Sequence, residues 1–299
     1  MKILMLTPYV PYPPSSGGQI RTFNLLKYLS QKHDITLVAL YKNDTEKKYL
    51  SHLKQYCKKI YLCRRPKKPW QFNNIFKAIF SSQPFLVVRN YSKEAKEIVD
   101  QLLKKQRFDV IHAETFYIMP HISYTKIPIV LVEQTIEYKV YQHFINTLPC
   151  IIRFILTFDI LKLKYRERFF WRKANIVAAV SESDETMIKQ LEPHIKTTIV
   201  PNGAGDEMIA QKLTPKDLRE PIIFFQGNFN WLQNVEAAKY LIQSIYPNLI
   251  KLLPSMKLII SGQNAHKIKL SGQKNISIVD IDPGDSTTVL ELFKKATLF

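Results

Sequence analysis

Short apolar runs alternate with amphipathic stretches along the chain. Runs of this kind predict strands buried on both faces, as in a parallel sheet, at residues 3–6, 34–41, 59–63, 109–113, 127–133, 174–181, 197–200, 221–226, 257–261 and 276–279. Helices are predicted at residues 20–29, 44–56, 92–105, 151–173, 234–250 and 286–296, with short ones ending at 121 and beginning after Ser181. Residues 64–91 are punctuated by prolines and predicted to be irregular, and residues 298–299 resemble the start of another strand.

The first strand leads into a loop that ends in a glycine pair. Four prolines between Thr7 and Ser16 exclude helix and sheet, and Gly17 and Gly18 then precede the first helix. At the carboxyl edge of a parallel sheet, this arrangement exposes backbone N–H groups that can bind an anion. The alternative is a loop that only packs. The spacing is not G-x-G-x-x-G, so a nicotinamide or flavin enzyme is not indicated.

The alternating pattern restarts after residue 220, which predicts two domains. Residues 203–220 are polar, lack a sustained apolar period and are interpreted as a linker. We expect an α/β protein with two doubly wound, Rossmann-like domains, at residues 1–202 and 221–299. All eight glycines fall outside the predicted strands and helices. Three complete strands are too few for the second domain to cover its sheet, so we expect this domain to be incomplete.

The composition narrows the range of partners and compartments. A hydrophobic content of 46% supports packed cores, and a net charge of +18 favours phosphates, nucleic acid or an anionic membrane face. Three cysteines without a C-x-x-C pair argue against a zinc site or disulfide framework and for a reducing compartment. The first strand is not a signal peptide, and residues 150–158 are too short and too charged to span a bilayer. We expect a cytoplasmic protein, soluble or peripheral at the inner membrane face.

Several segments, taken in order, resemble the GT-B glycosyltransferases of family 4. They are the Thr7-Pro8-Tyr9 loop with Gly17-Gly18-Gln19-Ile20-Arg21, then Phe108-Asp109-Val110-Ile111-His112, Glu133-Gln134-Thr135-Ile136-Glu137, residues 174–181 with Val200-Pro201-Asn202-Gly203, and residues 225–234. Each motif is weak alone, but the ordered set is fairly specific and covers nearly the whole chain.

The resemblance implies a hexosyltransferase-type enzyme that uses a nucleotide-sugar donor, such as a UDP- or GDP-sugar, with retention of anomeric configuration. The acceptor would be a glycan or a lipid-linked molecule of envelope polysaccharide or glycolipid synthesis. It would bind the N-terminal domain and the donor the C-terminal one, in the cleft between them. No separate cofactor is implied. Helix N-termini and basic side chains would stabilise the diphosphate leaving group.

Three titratable residues are candidates for the acceptor side. Glu133 ends a predicted strand where the family carries a His or a carboxylate, so it would orient or deprotonate the acceptor hydroxyl. Glu137 is a second candidate carboxylate, and His112 ends the preceding strand. The alternatives are a helix-capping or salt-bridged glutamate and a packed core histidine.

Five residues are candidates for binding the donor. Gly17 and Gly18 would let the backbone approach the donor phosphates or sugar, and Arg21 lies one turn into the helix, where it could instead be an ordinary surface arginine. Gly227 and Asn228 follow the first strand of the second domain, where the donor phosphates should lie.

The donor side departs from the family pattern at two positions. Many members carry Arg and Lys where this chain has Asn228 and Asn234, so either cations come from further along the chain or donor binding is weak. The acidic E-x7-E motif of the family would lie beyond Phe299, so we expect the chain as given to be inactive alone. The Asp280-Ile281-Asp282 sequence could be the metal site of the GT-A fold, but it comes late in a second domain, and a solvated loop is favoured over a metal site.

Basic and aromatic residues also indicate an anionic membrane surface as a partner. Residues 64–72 with Phe76 and Phe80 form one such segment, and a second basic cluster comprises Lys162, Lys164, Arg166, Arg168, Arg172 and Lys173. The alternative is a set of solvated basic faces with the aromatic side chains in the core.

Two rival functions remain open. One is a polyanion- or nucleic-acid-binding protein, although no recognised nucleic-acid module is present and we expect no nucleic-acid partner. The other is a sugar-nucleotide epimerase of the same two-domain architecture.

Overall fold

The computed structural model describes residues 1–66, 68, 70–203, 206, 219–269 and 275–299. The chain is an α/β protein that divides into two compact units, Met1–Gly203 and Ala204–Phe299. Each unit contains a parallel sheet, so the fold class predicted from the alternating pattern is confirmed. Most of the predicted linker, residues 203–220, lies outside the described residues.

The first unit contains seven parallel strands. They are β1 Lys2–Thr7, β2 Asp34–Tyr41, β3 Lys59–Arg64, β4 Val110–Glu114, β5 Ile129–Glu133, β6 Ile176–Ala179 and β7 Thr197–Ile199. Their order in the sheet is β3-β2-β1-β4-β5-β6-β7. The chain runs outward to β3 and then crosses back to β4, so the strand order reverses between β1 and β4. In open α/β sheets the crevice at such a switch point holds ligands.

Helices cover both faces of this sheet. They are α1 Gly17–Leu29, α2 Leu50–Leu53, α3 Phe72–Phe80, α4 Phe85–Asn90, α5 Lys93–Lys105, α6 Glu137–Asn146, α7 Cys150–Lys173 and α8 Glu182–Leu191. The side chains of Ser16, Ser92 and Ser181 each accept a backbone N–H in the first turn of α1, α5 and α8. The predicted helix starts at Ser92 and Ser181 are therefore confirmed.

The alternation of side chains divides the strands between two cores. Leu4, Leu6, Ile111 and Ala113 pack with the helices α5 and α7, whereas Ile3, Met5 and Leu37 pack with α1 and α2. Neighbouring residues at a strand end therefore point to opposite helical layers.

Some local predictions were wrong. The helix α1 begins at Gly17 rather than residue 20, because Ser16 caps it before its apolar stripe starts. The prediction that all glycines fall outside strands and helices is therefore wrong: Gly17 and Gly18 lie in the first turn of α1, and Gly262 ends a strand of the second unit. Residues 44–56 form a 3₁₀ helix, Asp44–Tyr49, followed by α2. The helices α3, α4 and α6 were not predicted, because six to ten residues complete too few turns to show a clear period.

The second unit repeats the pattern on a smaller scale. Its described strands are β8 Ile222–Gln226, β9 Lys257–Gly262 and β10 Ile276–Asp280, in the order β10-β9-β8. Its described helices are α9 Leu232–Tyr240, α10 Tyr246–Leu252 and α11 Ser286–Lys295, with a π-helical turn, Leu241–Ile245, between α9 and α10. Leu298 forms a parallel bridge with Ile223, which confirms the predicted start of a further strand.

Among the described residues, no helix combines the length and the apolar character needed to cross a membrane.

The close approach of β8 and β9 predicts that Gly262 cannot be replaced. Its φ is +135°, and a Cβ atom there would lie 1.9 Å from the carbonyl oxygen of Gly227. We expect Gly262→Ala to destabilise the second unit by at least about 2 kcal/mol, since the added atom meets backbone and the conformation is strained for an L-residue. Faster hydrogen exchange of the β9 amides would show this loss, with Gly17→Ala, which meets open space, as control. Unchanged β9 protection in Gly262→Ala would contradict it.

Candidate functional site

Polar side chains collect where β1, β4 and β5 end, next to the switch point of the first sheet. The first strand ends at Thr7, β4 ends at Glu114, and Glu133 and Gln134 follow from β5. Because these strands are parallel and paired in register, their carboxyl ends meet at one edge. This edge contains the three acceptor-side candidates and the glycine pair.

A hydrogen-bonded network joins the glycine pair to this edge. The side-chain amide of Gln134 donates to the Tyr9 hydroxyl at 2.9 Å and to Oε1 of Glu114 at 2.6 Å, and the Tyr9 hydroxyl lies 3.0 Å from Oγ1 of Thr22. A Cβ atom on Gly18 would lie 2.5 Å from the Gln134 amide oxygen and 2.8 Å from the Tyr9 hydroxyl. Gly18 is therefore required for close packing, whereas a Cβ atom on Gly17 would meet nothing within 4 Å.

Arg21 lies inside the protein rather than on its surface. It is 4% exposed, and its guanidinium donates to the carbonyls of Val200 and Pro201 and to the side-chain oxygen of Asn202 at 2.7–3.2 Å. Its Nε also lies 3.6 Å from Oε1 of Glu114. The arginine thus holds the segment after β7 against the carboxyl end of β4. Both segments lie in or next to the family motifs of the sequence, which gave their order along the chain but not this contact.

His112 is paired with a buried carboxylate. Its Nε2 lies 2.7 Å from Oε2 of Glu114, which is fully buried and two residues further along the same face of β4. Glu114 therefore has neighbours on both oxygens: His112 on one, Gln134 and Arg21 on the other. A carboxylate in this position fixes the orientation of the imidazole ring.

Glu133 points to the opposite face of the sheet. It is 1% exposed, and its Oε1 accepts a 2.8 Å hydrogen bond from the indole N–H of Trp171 in α7, whereas Oε2 has no hydrogen-bond partner among the described residues. Burial, and then the nearby charge of Glu167, raise the pKa of this carboxyl well above its usual range. This position suits a side chain that shapes the edge rather than one that contacts a substrate.

Glu167 of α7 links Glu133 to Glu137. Its carboxylate accepts the backbone N–H groups of Glu137 and Tyr138 at 2.8 and 3.2 Å, so it caps the N-terminus of α6 from a neighbouring helix. Burial raises the pKa of Glu167 to about 8, although the hydrogen bonds from these two N–H groups lower it. The three glutamates form one coupled group, which we name the glutamate cluster.

Glu137 is the half-buried member of the glutamate cluster. It begins α6, where burial raises its pKa to about 7 and the positive charge of Arg89 opposes the rise. A carboxyl with a pKa near neutrality can exchange a proton with a substrate hydroxyl at physiological pH. Of the three predicted acceptor-side residues, the structure thus gives Glu137 the position and the pKa best suited to contact a substrate.

Three cations that were not predicted as site residues, Lys42, Arg65 and Arg89, lie in one group, and the charge of Arg89 reaches Glu137. Lys42 and Arg65 directly follow β2 and β3, and Arg65 bonds to the side chain of Asn90, the neighbour of Arg89. Burial lowers the pKa values of Lys42 and Arg65, and Arg89 lowers both further. Lys42 immediately follows a predicted strand, whereas Arg65 and Arg89 lie in the segment predicted to be irregular, residues 64–91.

Glu114, Gln134 and Glu167 were also missed. Glu114 and Gln134 each stand one or two residues beyond a predicted site residue, so the strand ends could have indicated them. Glu167 gave no such signal, because it lies in the middle of a long helix with many charged residues.

The second unit holds its predicted donor loop with an amide network. The Asn228 side chain donates to Gln263 at 3.0 Å and accepts the backbone N–H of Asn230, while Asn234 donates to the Asn228 carbonyl at 3.0 Å. Lys267 bonds to the side chain of Asn230. Gly227 packs against Asn234 and Gly262, so this loop is closely packed. The cation that bonds to the loop, Lys267, lies further along the chain.

Asp280, the first residue of the Asp280-Ile281-Asp282 segment, has a local structural role. Asp280 accepts the backbone N–H of Ala265 at 2.7 Å and lies 2.6 Å from Nδ1 of His266. In the part of the chain that the structure describes, no three His, Cys, Asp or Glu side chains are grouped so that they could hold a metal ion.

Solved structures with the same architecture define the class of protein. The chain is 12% identical to S. aureus MnaA in its structure with UDP, with a TM-score of 0.53 over 99% of this chain and 72% of that one. It is equally similar to a UDP-glucosyltransferase from Polygonum tinctorium, at 12% identity and a TM-score of 0.51 over 94% and 72% of the two chains. The fold is that of the GT-B glycosyltransferases.

The sequence comparison then gives the family. Residues 15–207 match the model described as Glycosyltransferase Family 4, and the chain belongs to that family. It is also 23% identical over 287 residues to an uncharacterized 44.6 kDa protein in the cps region of Klebsiella pneumoniae, a match that covers 93% of this chain and 69% of the relative.

The glycine pair allows a matched test of the edge network. We expect Gly18→Ala to lower the free energy of unfolding of the first unit by about 1–2 kcal/mol, because the new methyl group displaces the Gln134 amide from Glu114 and Tyr9. Gly17→Ala adds the same atom one residue earlier into open space and should be neutral or slightly stabilising. Urea unfolding followed by Trp171 fluorescence, in a Trp70→Phe, Trp231→Phe background, measures both. Equal effects of the two substitutions would rule out a network that depends on Gly18.

The glutamate cluster predicts how stability depends on pH. Its folded-state pKa values are raised above the ordinary value of 4.5, so the folded protein retains protons that the unfolded chain releases. The resulting stability is complete below about pH 4.5 and is lost as the pH rises through 7 and 8. In the same assay, Glu133→Gln should flatten this decline, because it removes one buried charge and keeps the acceptor for Trp171. The exposed Glu182→Gln is the control; an identical pH profile in both variants would disprove the assignment.

Proposed function

We propose that this protein is a retaining hexosyltransferase that moves a sugar from a nucleotide-sugar donor to a glycan or lipid-linked acceptor. Membership of glycosyltransferase family 4 supports the transfer reaction. The similar structures include one with UDP and one named as a UDP-glucosyltransferase, which favours a uridine nucleotide donor. The relative named for a cps region favours a role in envelope polysaccharide or glycolipid synthesis.

The acceptor is assigned to the carboxyl edge of the first sheet. The observation that carries this assignment is Glu137, a half-buried carboxyl with a pKa of about 7 beside the guanidinium of Arg89. As a carboxylate it accepts a hydrogen bond from the acceptor hydroxyl and takes up its proton as the acceptor oxygen bonds to the anomeric carbon. The bond from that carbon to the donor phosphate breaks, and the nucleoside diphosphate leaves. Arg89, Arg65 and Lys42 attract any phosphate or carboxylate that the acceptor carries. Glu133 and His112 are assigned positioning roles, through Trp171 and Glu114 respectively.

The donor is assigned to the loop after β8 in the second unit. The closely packed Gly227 lets the backbone approach the diphosphate, and Lys267 supplies a cation in place of those absent at Asn228 and Asn234. Gly17 and Gly18, in the first turn of α1, are assigned to the transferred sugar or donor phosphate together with the N-terminal dipole of that helix. This N-terminus carries no acidic residue in its first turn.

Incubation of the full-length protein with UDP- and GDP-sugars tests the function. We expect acceptor-dependent release of the nucleoside diphosphate and a product with the donor's anomeric configuration. Nucleotide sugars that are neither bound nor cleaved would contradict the proposal, and interconversion of the sugar without an acceptor would favour an epimerase. Tight binding of nucleic acid, weakened steeply by salt, would favour the polyanion-binding alternative.

The role of Glu137 predicts both a loss of rate and a pH profile. We expect Glu137→Gln to lower kcat about 100-fold or more, because the amide cannot take up the hydroxyl proton, with donor binding unchanged. The wild-type rate should rise with pH through about 7 as this carboxyl ionises, and the variant should lose that rise. The exposed Glu182→Gln is the matched control. A variant that keeps the full rate and the same pH profile would exclude Glu137 as the proton acceptor.

A further inference from the structure

The long helix α7 carries apolar side chains on two faces. One face packs into the core through Ile160, Leu163, Phe170 and Trp171. The other is exposed to solvent, and its members recur every three or four residues: Ile151, Phe154, Ile155, Phe158, Leu161 and Tyr165. The sequence predicts one amphipathic helix here, and this second stripe does not face the core. The alternative in which the aromatic side chains near the first basic segment lie in the core is wrong for Phe72, Phe76 and Phe80, which are exposed.

The helix α3 carries a stripe of the same kind. Phe72, Phe76, Ile79 and Phe80 lie on one side of this nine-residue helix, and Phe72 is 93% exposed. Asn74 and Ala78 on the other side are buried. The rings of Phe76 and Phe80 contact one another, with 4.4 Å between centroids. These apolar side chains stay in contact with water in the folded chain, so they do not stabilise the fold by burial.

Polar contacts fasten α3 and α4 to α7. Nζ of Lys162 donates to the carbonyls of Ala78 and Ser81 at 2.7 and 2.8 Å, which caps the C-terminal end of α3. The backbone N–H of Phe85, in α4, donates to Asp159 at 2.9 Å. Asp159 and Lys162 lie one turn apart on α7, beside the exposed stripe, so both stripes are held in one region of the first unit. We name the ten residues of these two stripes the apolar face.

Charge around the apolar face is almost entirely positive. Residues 64–89 contain no Asp or Glu, and Lys77 and Arg153 are exposed on α3 and α7 themselves. The two acidic residues of α7 are occupied: Asp159 binds Phe85, and Glu167 is buried as the cap of α6. The basic residues later in α7 are largely engaged too, since Arg168 and Arg172 pair with Glu192. Lys77 and Arg153, beside the apolar face, remain exposed.

We propose that the apolar face docks onto an anionic lipid bilayer, with α3 and the first half of α7 lying in the interface. Exposed aromatic and aliphatic side chains beside cations, with no acidic residue among them, are complementary to acyl chains beneath anionic headgroups. The exposed stripe of α7 extends over residues 151–165, about 21 Å of helix, which suits insertion parallel to the membrane plane. This docking goes beyond the proposed sugar transfer and is tested by binding alone.

Cosedimentation of the full chain with lipid vesicles tests the proposal. We expect binding to phosphatidylcholine vesicles that contain phosphatidylglycerol, weaker binding to phosphatidylcholine alone, and partial release by salt. With Trp171 and Trp231 replaced by Phe, emission from Trp70, which is exposed two residues before α3, should shift to shorter wavelength on binding. Failure to bind anionic vesicles would overturn the proposal, whatever the transferase activity.

Matched variants separate insertion from general adsorption. Phe72→Ser with Phe76→Ser, and separately Phe154→Ser with Phe158→Ser, should each weaken vesicle binding by about tenfold, with the melting temperature unchanged because these side chains are exposed. Tyr124→Ser removes an 88% exposed aromatic side chain elsewhere and should have no effect. Lys77→Glu with Arg153→Glu should weaken binding more than Lys32→Glu with Lys105→Glu. Wild-type binding by both double phenylalanine variants, or a change in oligomeric state without loss of vesicle binding, would overturn the proposal.

Discussion

The buried carboxylate of Glu114 is the interaction on which the carboxyl edge of the first unit depends. Removing this group from water is costly unless polar partners replace the solvent, and three parts of the chain supply them. His112 on the same strand and Gln134 after β5 form hydrogen bonds with it, and Arg21 on α1 forms an ion pair. Because Arg21 also binds the segment after β7, one carboxylate holds together the first helix, two central strands and the exit from the sheet.

Side-chain alternation then separates two acidic groups that end neighbouring strands of the sheet. Glu114 points toward α1, among polar partners for its charge. Glu133 points toward α7, where it meets an indole and a second glutamate, and its own Oε2 has no hydrogen-bond partner within the described part of the chain. Like charges in a buried site cannot all ionise at little cost, so the glutamate cluster holds protons that exposed carboxyls would release. Only Glu137, at the half-buried end of the cluster, combines a raised pKa with access to solvent.

The helix α7 connects this chemistry to the molecular surface. Through Trp171 and Glu167 it positions Glu133 and caps α6, and through Asp159 and Lys162 it holds α4 and α3. Its outward stripe stays exposed in the folded unit, whereas its other face fills the core. A helix that is apolar on two sides requires two apolar environments, and the first unit provides one of them.

The sequence by itself determined the fold class, the order of the strands along the chain, most helix positions and the family. Buried parallel strands and caps leave local signals that a single chain displays, as at Ser92 and Ser181. It also placed Glu133, Glu137 and His112 at or near strand ends, where ligands bind. The tertiary structure decided what each of them contacts. A slip of one residue reverses the face of a strand, so Glu133 is buried against Trp171 while Gln134 joins Tyr9. Arg21, Glu167 and the outward stripe of α7 were beyond reach for the same reason: their roles depend on partners 30 to 181 residues away in the chain or on which face a helix turns to the core.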